Sequence, residues 1–249
     1  MQLPHRAREG DFLETPERFI FYVRGHVHPP DRVVCFVRYL PDPLGDRRRG
    51  ITNFTKIPPF SDHDQIARDR FPQYIVYDPI LDLHLVEVQV RKATRWYKPQ
   101  QKLEELGSTG NLDRVERCAV DLAELIQKTS GVPWNKMGVT GSVLVGLHTD
   151  SSDVDLVIYG KKNCLLAHEA LQGLAEDGRL KAYDREDLLH IYREWHKVLP
   201  FNNFMELERR KPFKGRFKGR RFYIRFVRDW GEVREKYGDV NLKSVGLAK

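Results

Sequence analysis

Two aspartates one residue apart, Asp153 and Asp155, stand downstream of a glycine-serine pair, Gly141 and Ser142, and this stretch is the part of the chain best equipped for chemistry. From Asp155 to Tyr159 the residues are β-branched, aliphatic or aromatic, the composition of an interior strand. A strand's period of two puts Asp153 and Asp155 on one face and Val154, Leu156 and Ile158 on the other, so one face can bind while the other packs. At the rise of a strand the two carboxylates begin roughly 6.6 Å apart and can converge on one divalent ion or on a close pair of ions. Upstream, Met137–Val139 reads as a short apolar strand, and Ser142 is expected to cap a brief helix running to Gly146, whose first amides could receive phosphate oxygens. A phosphate-friendly turn joined to paired carboxylates suits magnesium chemistry on a triphosphate.

With thirty-five acids in 249 residues, an acid-x-acid pair is common by chance, and what gives this one meaning is the Gly-Ser pair upstream, set between two strand-like runs. The competing reading makes residues 149–153 an ordinary polar turn whose Asp and Ser side chains bond local backbone. Gly141-Ser142, Gly146 and the run Ser152-Asp153-Val154-Asp155-Leu156 resemble, in order and spacing, the signature of the polymerase-β-like nucleotidyltransferase superfamily. The resemblance covers roughly residues 112–230, and the whole chain is similar to a predicted-nucleotidyltransferase family of uncharacterised prokaryotic proteins. It implies that Gly141 and Ser142, with Ser152 nearby, bind a nucleoside triphosphate. It implies that Asp153 and Asp155 hold Mg2+ or Mn2+ as the catalytic pair, and that a nucleoside monophosphate passes to a hydroxyl acceptor. Members of the superfamily usually add a third acid on a later strand, where it helps activate the attacking hydroxyl. The later strand here carries Arg225 near its middle; Asp229 shares its alternating face near the end, while Glu206 and Glu208 require a different alignment. A chain that kept the pocket without the third acid would be a non-catalytic nucleotide- or RNA-binding protein.

The elements expected to position these residues divide into two regions. Residues 1–106 read as a β-rich α+β region of unknown role, with strands at 19–23 and 33–39 joined by a long turn. His26 and His28 in that turn have no third ligand in the pattern, and residues 41–50 read as a punctuated basic loop. Short helical signals follow at 62–70 and 98–106, with a strand at 83–90 between them. Gly107-Ser108-Thr109-Gly110 is the cleanest candidate linker, so the boundary is placed there. Residues 107–235 read as a nucleotidyltransferase-like domain: a mixed sheet with flanking helices, giving an α+β or mixed α/β class overall, with 236–249 as a tail. In its first helix Leu112, Val115, Cys118, Ala119, Leu122 and Ile126 recur at helical spacing and face the core. Helices are expected at 164–174, 185–198 and 201–208, with a strand at 221–228. His168, His190 and His196 lack evident ligand partners.

Composition narrows the class without choosing the chemistry. A hydrophobic content of 41% supplies a core. No apolar run reaches the roughly 18 residues of a membrane span, and a cytoplasmic location without membrane contact is expected. Cys35, Cys118 and Cys164 are odd in number and sit among apolar neighbours, as reduced core thiols do. The net charge of +7 favours an anionic partner. The strongest bias is Arg209, Arg210, Lys211, Lys214, Arg216, Lys218, Arg220, Arg221, Arg225 and Arg228, with no acid between them and aromatic residues interleaved. Lys214-Gly215-Arg216-Phe217-Lys218-Gly219-Arg220 lacks the spacing of a P-loop and is expected to be a mobile basic loop, suited to RNA or another polyanion.

Overall fold

The computed structural model describes residues 6–58, 62–194, 199–243 and 245; His196 and the end of the helix expected at 185–198 lie outside the described residues. The chain divides into two compact units, Met1–Tyr97 with Val233–Lys249, and Lys98–Glu232. Both mix helix and strand, as expected, and the first is dominated by an antiparallel sheet.

In the first unit the order is β1 (Phe12–Glu14), β2 (Ile20–Val23), β3 (Arg32–Pro41), β4 (Arg47–Arg49), β5 (Thr52–Lys56), α1 (His63–Arg70), β6 (Ile75–Asp78), β7 (Leu83–Gln89) and β8 (Arg95–Tyr97). The main path through the sheet runs β4-β5-β3-β2-β1-β8. Strand β3 is long because Val33, Cys35, Val37 and Tyr39 alternate inward along ten residues. Its free edge is shared, pairing with β7 at Arg32 to Val34 and with β5 at Tyr39 to Pro41. Helix α1, capped by Asp62, and the turn after it place Ala67, Phe71 and Tyr74 on the core beside Leu13, Phe21 and Val88. The basic loop expected at 41–50 is in part a strand, because the arginines of β4 pair with β5. His28 fastens the β2–β3 turn by bonding Ala7 O and the Val34 amide.

The second unit runs α2 (Pro99–Ser108), α3 (Arg114–Ser130), β9 (Met137–Val139), α4 (Gly141–Leu144), β10 (Val154–Tyr159), α5 (Lys161–Glu176), α6 (Arg185–Glu194), α7 (Phe201–Arg209), β11 (Lys214–Phe217) and β12 (Arg220–Val227). Its sheet order is β11-β12-β10-β9, with β10 and β12 parallel and the other pairs antiparallel. Helix α3 opens with a capping box, Asp113 receiving the Glu116 amide while Glu116 reaches back to the Asp113 amide. Its apolar stripe and that of α5 pack on Val154, Leu156 and Ile158 of β10. All three are buried.

Three expectations need correction. The boundary falls at Tyr97 and Lys98, ahead of the Gly107 to Gly110 run, because Leu103 and Leu106 of α2 belong to the second core. A Cβ on Gly138 of β9 would lie 2.6 Å from Pro99, so α2 rests directly on that strand. The tail is not separate either: Tyr237 donates to Asp78 and the Leu242 amide to Ile80 O, which joins the described part of 236–249 to the first unit. Finally, the expected mobile loop at Lys214–Phe217 is strand β11, turned into β12 at Lys218 and Gly219, both with positive φ. Two such residues make the tight turn that matches the twist of paired strands.

Candidate active site

Strand pairing delivers the glycine-serine turn to the aspartates. Val139 lies opposite Leu156, and the Thr140 amide bonds Asp155 O at 2.9 Å, so the chain leaves β9 beside Asp155. Gly141 then turns at φ +66°, and a Cβ there would stand 2.2 Å from Asp155 Oδ2. Only glycine fits both the backbone angle and the space. Ser142 is buried inside α4 and does not cap it; the residue before the helix is Thr140, which makes no side-chain cap bond. The expectation that Ser142 caps the helix is corrected accordingly, because the helix begins two residues earlier, with Thr140 in the cap position.

Ser152 serves the turn. Its Oγ receives the Thr149 amide at 2.9 Å, and its own amide bonds Thr149 O. The local-turn reading therefore holds for Ser152, whereas the Asp153 side chain turns to the neighbouring strand. Asp153 Oδ1 accepts from Arg221 Nε at 2.9 Å, in a half-exposed pair. Gly141 and Asp155 are brought into contact, Ser142 follows directly, and Asp153 faces the neighbouring strand.

That neighbour decides what lies beside the acids. In the parallel β10–β12 register Val154 pairs with Phe222 and Asp155 with Tyr223, which sets Arg221 by Asp153. Arg225 pairs with Val157, further along. None of the three acids considered from sequence completes the set. Asp229 follows β12 at the Tyr159 end, about 20 Å along the strand from Asp153, and pairs with Lys136. Glu206 is exposed and bound to Arg210; Glu208 is buried between Lys211 and Lys214.

Beside Asp153 a cavity of about 580 Å³ opens, lined among others by Asp150, Asp187, His190, Arg220 and Arg221. Arg220 holds the motif loop by donating to Asp150 O and Ser152 O, each at 2.7 Å. Asp187 is buried, with its two oxygens on Arg216 at 2.6 and 2.8 Å. Tyr183 donates to Phe222 O at 3.0 Å; burial first, then the charges of Asp153 and Asp155, push its phenol well above its usual range. Tyr183 is thus a neighbour of both acids that no local pattern in the sequence marks, since it lies in the connection before α6.

The basic run looks different folded. Arg210, Lys211, Lys214, Arg216, Lys218 and Arg221 meet Glu206, Glu208, Asp187, Asp121 and Asp153, all acids from outside the run. A second cluster escaped sequence reading: His148 Nε2 lies 2.6 Å from Asp113 Oδ2, with Glu116 close by. This pair ties the motif loop to the start of α3 and lowers the Asp113 carboxyl below its ordinary range against the opposing effect of burial.

The chain is 31% identical over 256 residues to the uncharacterized protein MJ1086 of Methanocaldococcus jannaschii. It belongs to that protein's family. The match spans 98% of this chain and 75% of the archaeal protein, so both units, and not only the one with the paired aspartates, are shared within the family. No family model matches the sequence, and no solved structure matches it. Among the described residues, no helix is long and apolar enough to cross a membrane.

Chemically, this chain offers hard oxygen donors from Asp153 and Asp155 and a glycine turn packed directly against the second of them. Oxygen donors of this kind suit Mg2+ or Mn2+. Arg221 is the cation that already answers Asp153.

Proposed function

We propose that the unit Lys98–Glu232 is a nucleotidyltransferase of the polymerase-β-like kind, which binds a nucleoside triphosphate at the edge formed by Gly141, Ser142, Asp153 and Asp155. The observation that carries this reading is the contact of Gly141 with Asp155, where a side chain on the turn would collide with the carboxylate. Asp153 and Asp155 would hold Mg2+ or Mn2+, which when bound neutralises charge on the triphosphate. Gly141, with no side chain, lets the turn lie against Asp155, so that a phosphate held at the turn would stand next to the metal held by the acids. Arg221, which lines the cavity beside Asp153, can exchange its carboxylate partner for a phosphate. In the transfer, an acceptor hydroxyl oxygen forms a bond to the α-phosphorus while the bond from that phosphorus to the bridging oxygen breaks. Pyrophosphate leaves with the electron pair, and the hydroxyl proton passes to a base. Positioning of the two reactants would supply much of the rate. RNA is the acceptor class we would test first.

One observation favours a second reading. Where the superfamily places a third carboxylate on the neighbouring strand, this chain presents Arg221 and Tyr223. A protein so equipped could bind a nucleotide or RNA without transferring anything. Incubation with each labelled triphosphate, Mg2+ or Mn2+ and cellular RNA separates the two. Transfer predicts label covalently attached to an acceptor and lost in Asp155→Asn, whereas a binder retains label reversibly. Failure of the wild-type protein to retain any triphosphate, or equal retention by Asp155→Asn, would overturn both.

A further inference from the structure

The first unit carries a concentration of positive charge that the nucleotide site does not use. Glu14, at the end of β1, is buried. Around it stand three guanidinium groups brought from separate parts of the sheet. Arg49 of β4 donates to Glu14 Oε1 at 2.6 Å and to Tyr97 OH at 2.6 Å; Arg18, from the β1–β2 turn, lies 3.8 Å from the same carboxylate. Arg95 stands directly opposite Glu14 in the β1–β8 ladder. Because β4 and β8 end the main path of the sheet, the Arg49 contacts show that the sheet curls until its two ends meet at this seam. Arg18, Arg49 and Arg95 thus gather about Glu14 and make this seam rich in cations.

The guanidinium groups also lie close to aromatic rings. Arg95 lies 4.7 Å from the Tyr97 ring, and Arg18 and Arg49 lie 5.6 and 5.2 Å from the Phe54 ring. Stacking on a ring fixes the plane of a guanidinium while leaving edge N–H groups for an oxyanion. Arg18 occupies a left-handed backbone conformation, φ +65°, which strains a residue that bears a side chain and would not strain glycine. Keeping arginine there makes sense when its side chain has work to do. At the adjacent tip, between β4 and β5, Ile51 is 94% exposed, with Arg48 exposed beside it.

We propose that this seam binds single-stranded nucleic acid, with Arg18, Arg48 and Arg95 taking backbone phosphates and the Ile51 tip packing against an unpaired base. Stacked guanidiniums and a sequence-tolerant apolar contact are how single strands are commonly held. The proposal concerns the first unit alone and stands apart from the assignment of Asp153 and Asp155. An anionic membrane offers the same phosphate chemistry, but one isoleucine at a turn is little apolar surface for insertion, and arginines set beside aromatic rings suit discrete phosphates better.

The test is fluorescence anisotropy with the full chain and a labelled single-stranded RNA, without triphosphate or metal. Binding should weaken steeply between about 50 and about 200 mM salt, as released counterions require. The triple variant Arg18→Gln, Arg48→Gln, Arg95→Gln should weaken it at least about tenfold and flatten the logarithmic salt slope by about 2, at roughly 0.7 per phosphate contact on a single strand. Arg49 is left in place because its pair with Glu14 closes the sheet. Should the triple variant fail to fold, Arg95→Gln alone, exposed and stacked only on Tyr97, should flatten the slope by about 0.7. Absence of RNA binding at low salt, an unchanged slope in the folded variants, or binding to phosphatidylserine vesicles in preference to RNA would each overturn the proposal.

Discussion

The two units handle charge in opposite ways. In Lys98–Glu232 six of the ten cations of the basic run meet five acids from elsewhere in the fold: Arg210 meets Glu206, Arg216 meets Asp187, Lys218 meets Asp121, Arg221 meets Asp153, and Lys211 and Lys214 share the buried Glu208. In the first unit charge is left unequal at two places. Three guanidiniums share Glu14 at the seam, and two buried carboxylates, Asp78 and Glu87, have Arg32 as their nearby cation, 3.6 Å from Glu87. A run of like charges in sequence therefore says little about the field it makes once folded. What matters is whether acids from elsewhere in the fold reach it.

The comparison breaks most sharply at Glu14. Removing this carboxylate as Glu14→Leu takes from Arg49, whose side chain is four-fifths buried, the anion that lies 2.6 Å from it. Loss of one partner of a buried pair costs about 3 to 5 kcal/mol, and the first unit should lose stability of that order in urea unfolding. A loss below about 1 kcal/mol would mean that the seam is solvated and its charge excess screened.

A smaller effect is expected at the opposite imbalance. Asp78 Oδ1 receives the Ile80 and Leu81 amides and the Tyr237 hydroxyl, while Asp78 Oδ2 and Glu87 Oε1 are buried with no donor as long as both acids are ionised. A proton on Glu87 supplies one. Burial, then Asp78, pushes Glu87 up to about 7, whereas the bonds to Asp78 hold that carboxyl below its ordinary value. The folded protein thus keeps a proton that the unfolded chain releases near pH 4.3, so stability falls as pH rises from about 4.5 to about 7 and then levels off. Asp78 acts the other way, and only below about pH 4. Calorimetric melting temperatures should drop across that window in the wild type relative to Glu87→Gln; identical profiles would remove the buried acid pair as a stability determinant.

Local pattern carried much of this fold, and long-range pairing carried the remainder. The packing face of β10, Val154, Leu156 and Ile158, and the apolar stripe of α3 were legible because each is written within a few residues. Strand β11 was not, since Gly215, Gly219 and the lysines lower strand propensity and its edge is defined by pairing with β12. The boundary was misplaced for a similar reason: α2 belongs to whichever core receives Leu103 and Leu106, and no linker composition reports that. At the site, the meeting of Gly141 with Asp155 follows from an adjacent strand pair and could be anticipated. The identity of the residue next to Asp153 could not, because it depends on the register of a parallel crossover that ends 68 residues later at Arg221. The arginine seam was hidden for the same reason, its members lying on a turn and two edge strands.

The smallest expected effect bears most directly on the contrast between the units. Lys218 Nζ lies 2.6 Å from Asp121 Oδ2, with the lysine side chain 59% exposed and the aspartate 23%. Such a surface pair is worth about 0.2 to 1 kcal/mol, so Lys218→Gln should scarcely move the unfolding midpoint. Its effect on RNA binding should be small as well. A lysine already neutralised by a carboxylate must give up that partner before it can replace counterions on a phosphate, whereas Arg95 rests on the Tyr97 ring, a contact that a phosphate need not displace. The salt slope of RNA binding should therefore change by well under 0.7 in Lys218→Gln and by about 0.7 in Arg95→Gln. Equal changes would show that the Asp121 pair opens freely in solution, and the basic run of the second unit would then compete with the seam as the surface that meets nucleic acid.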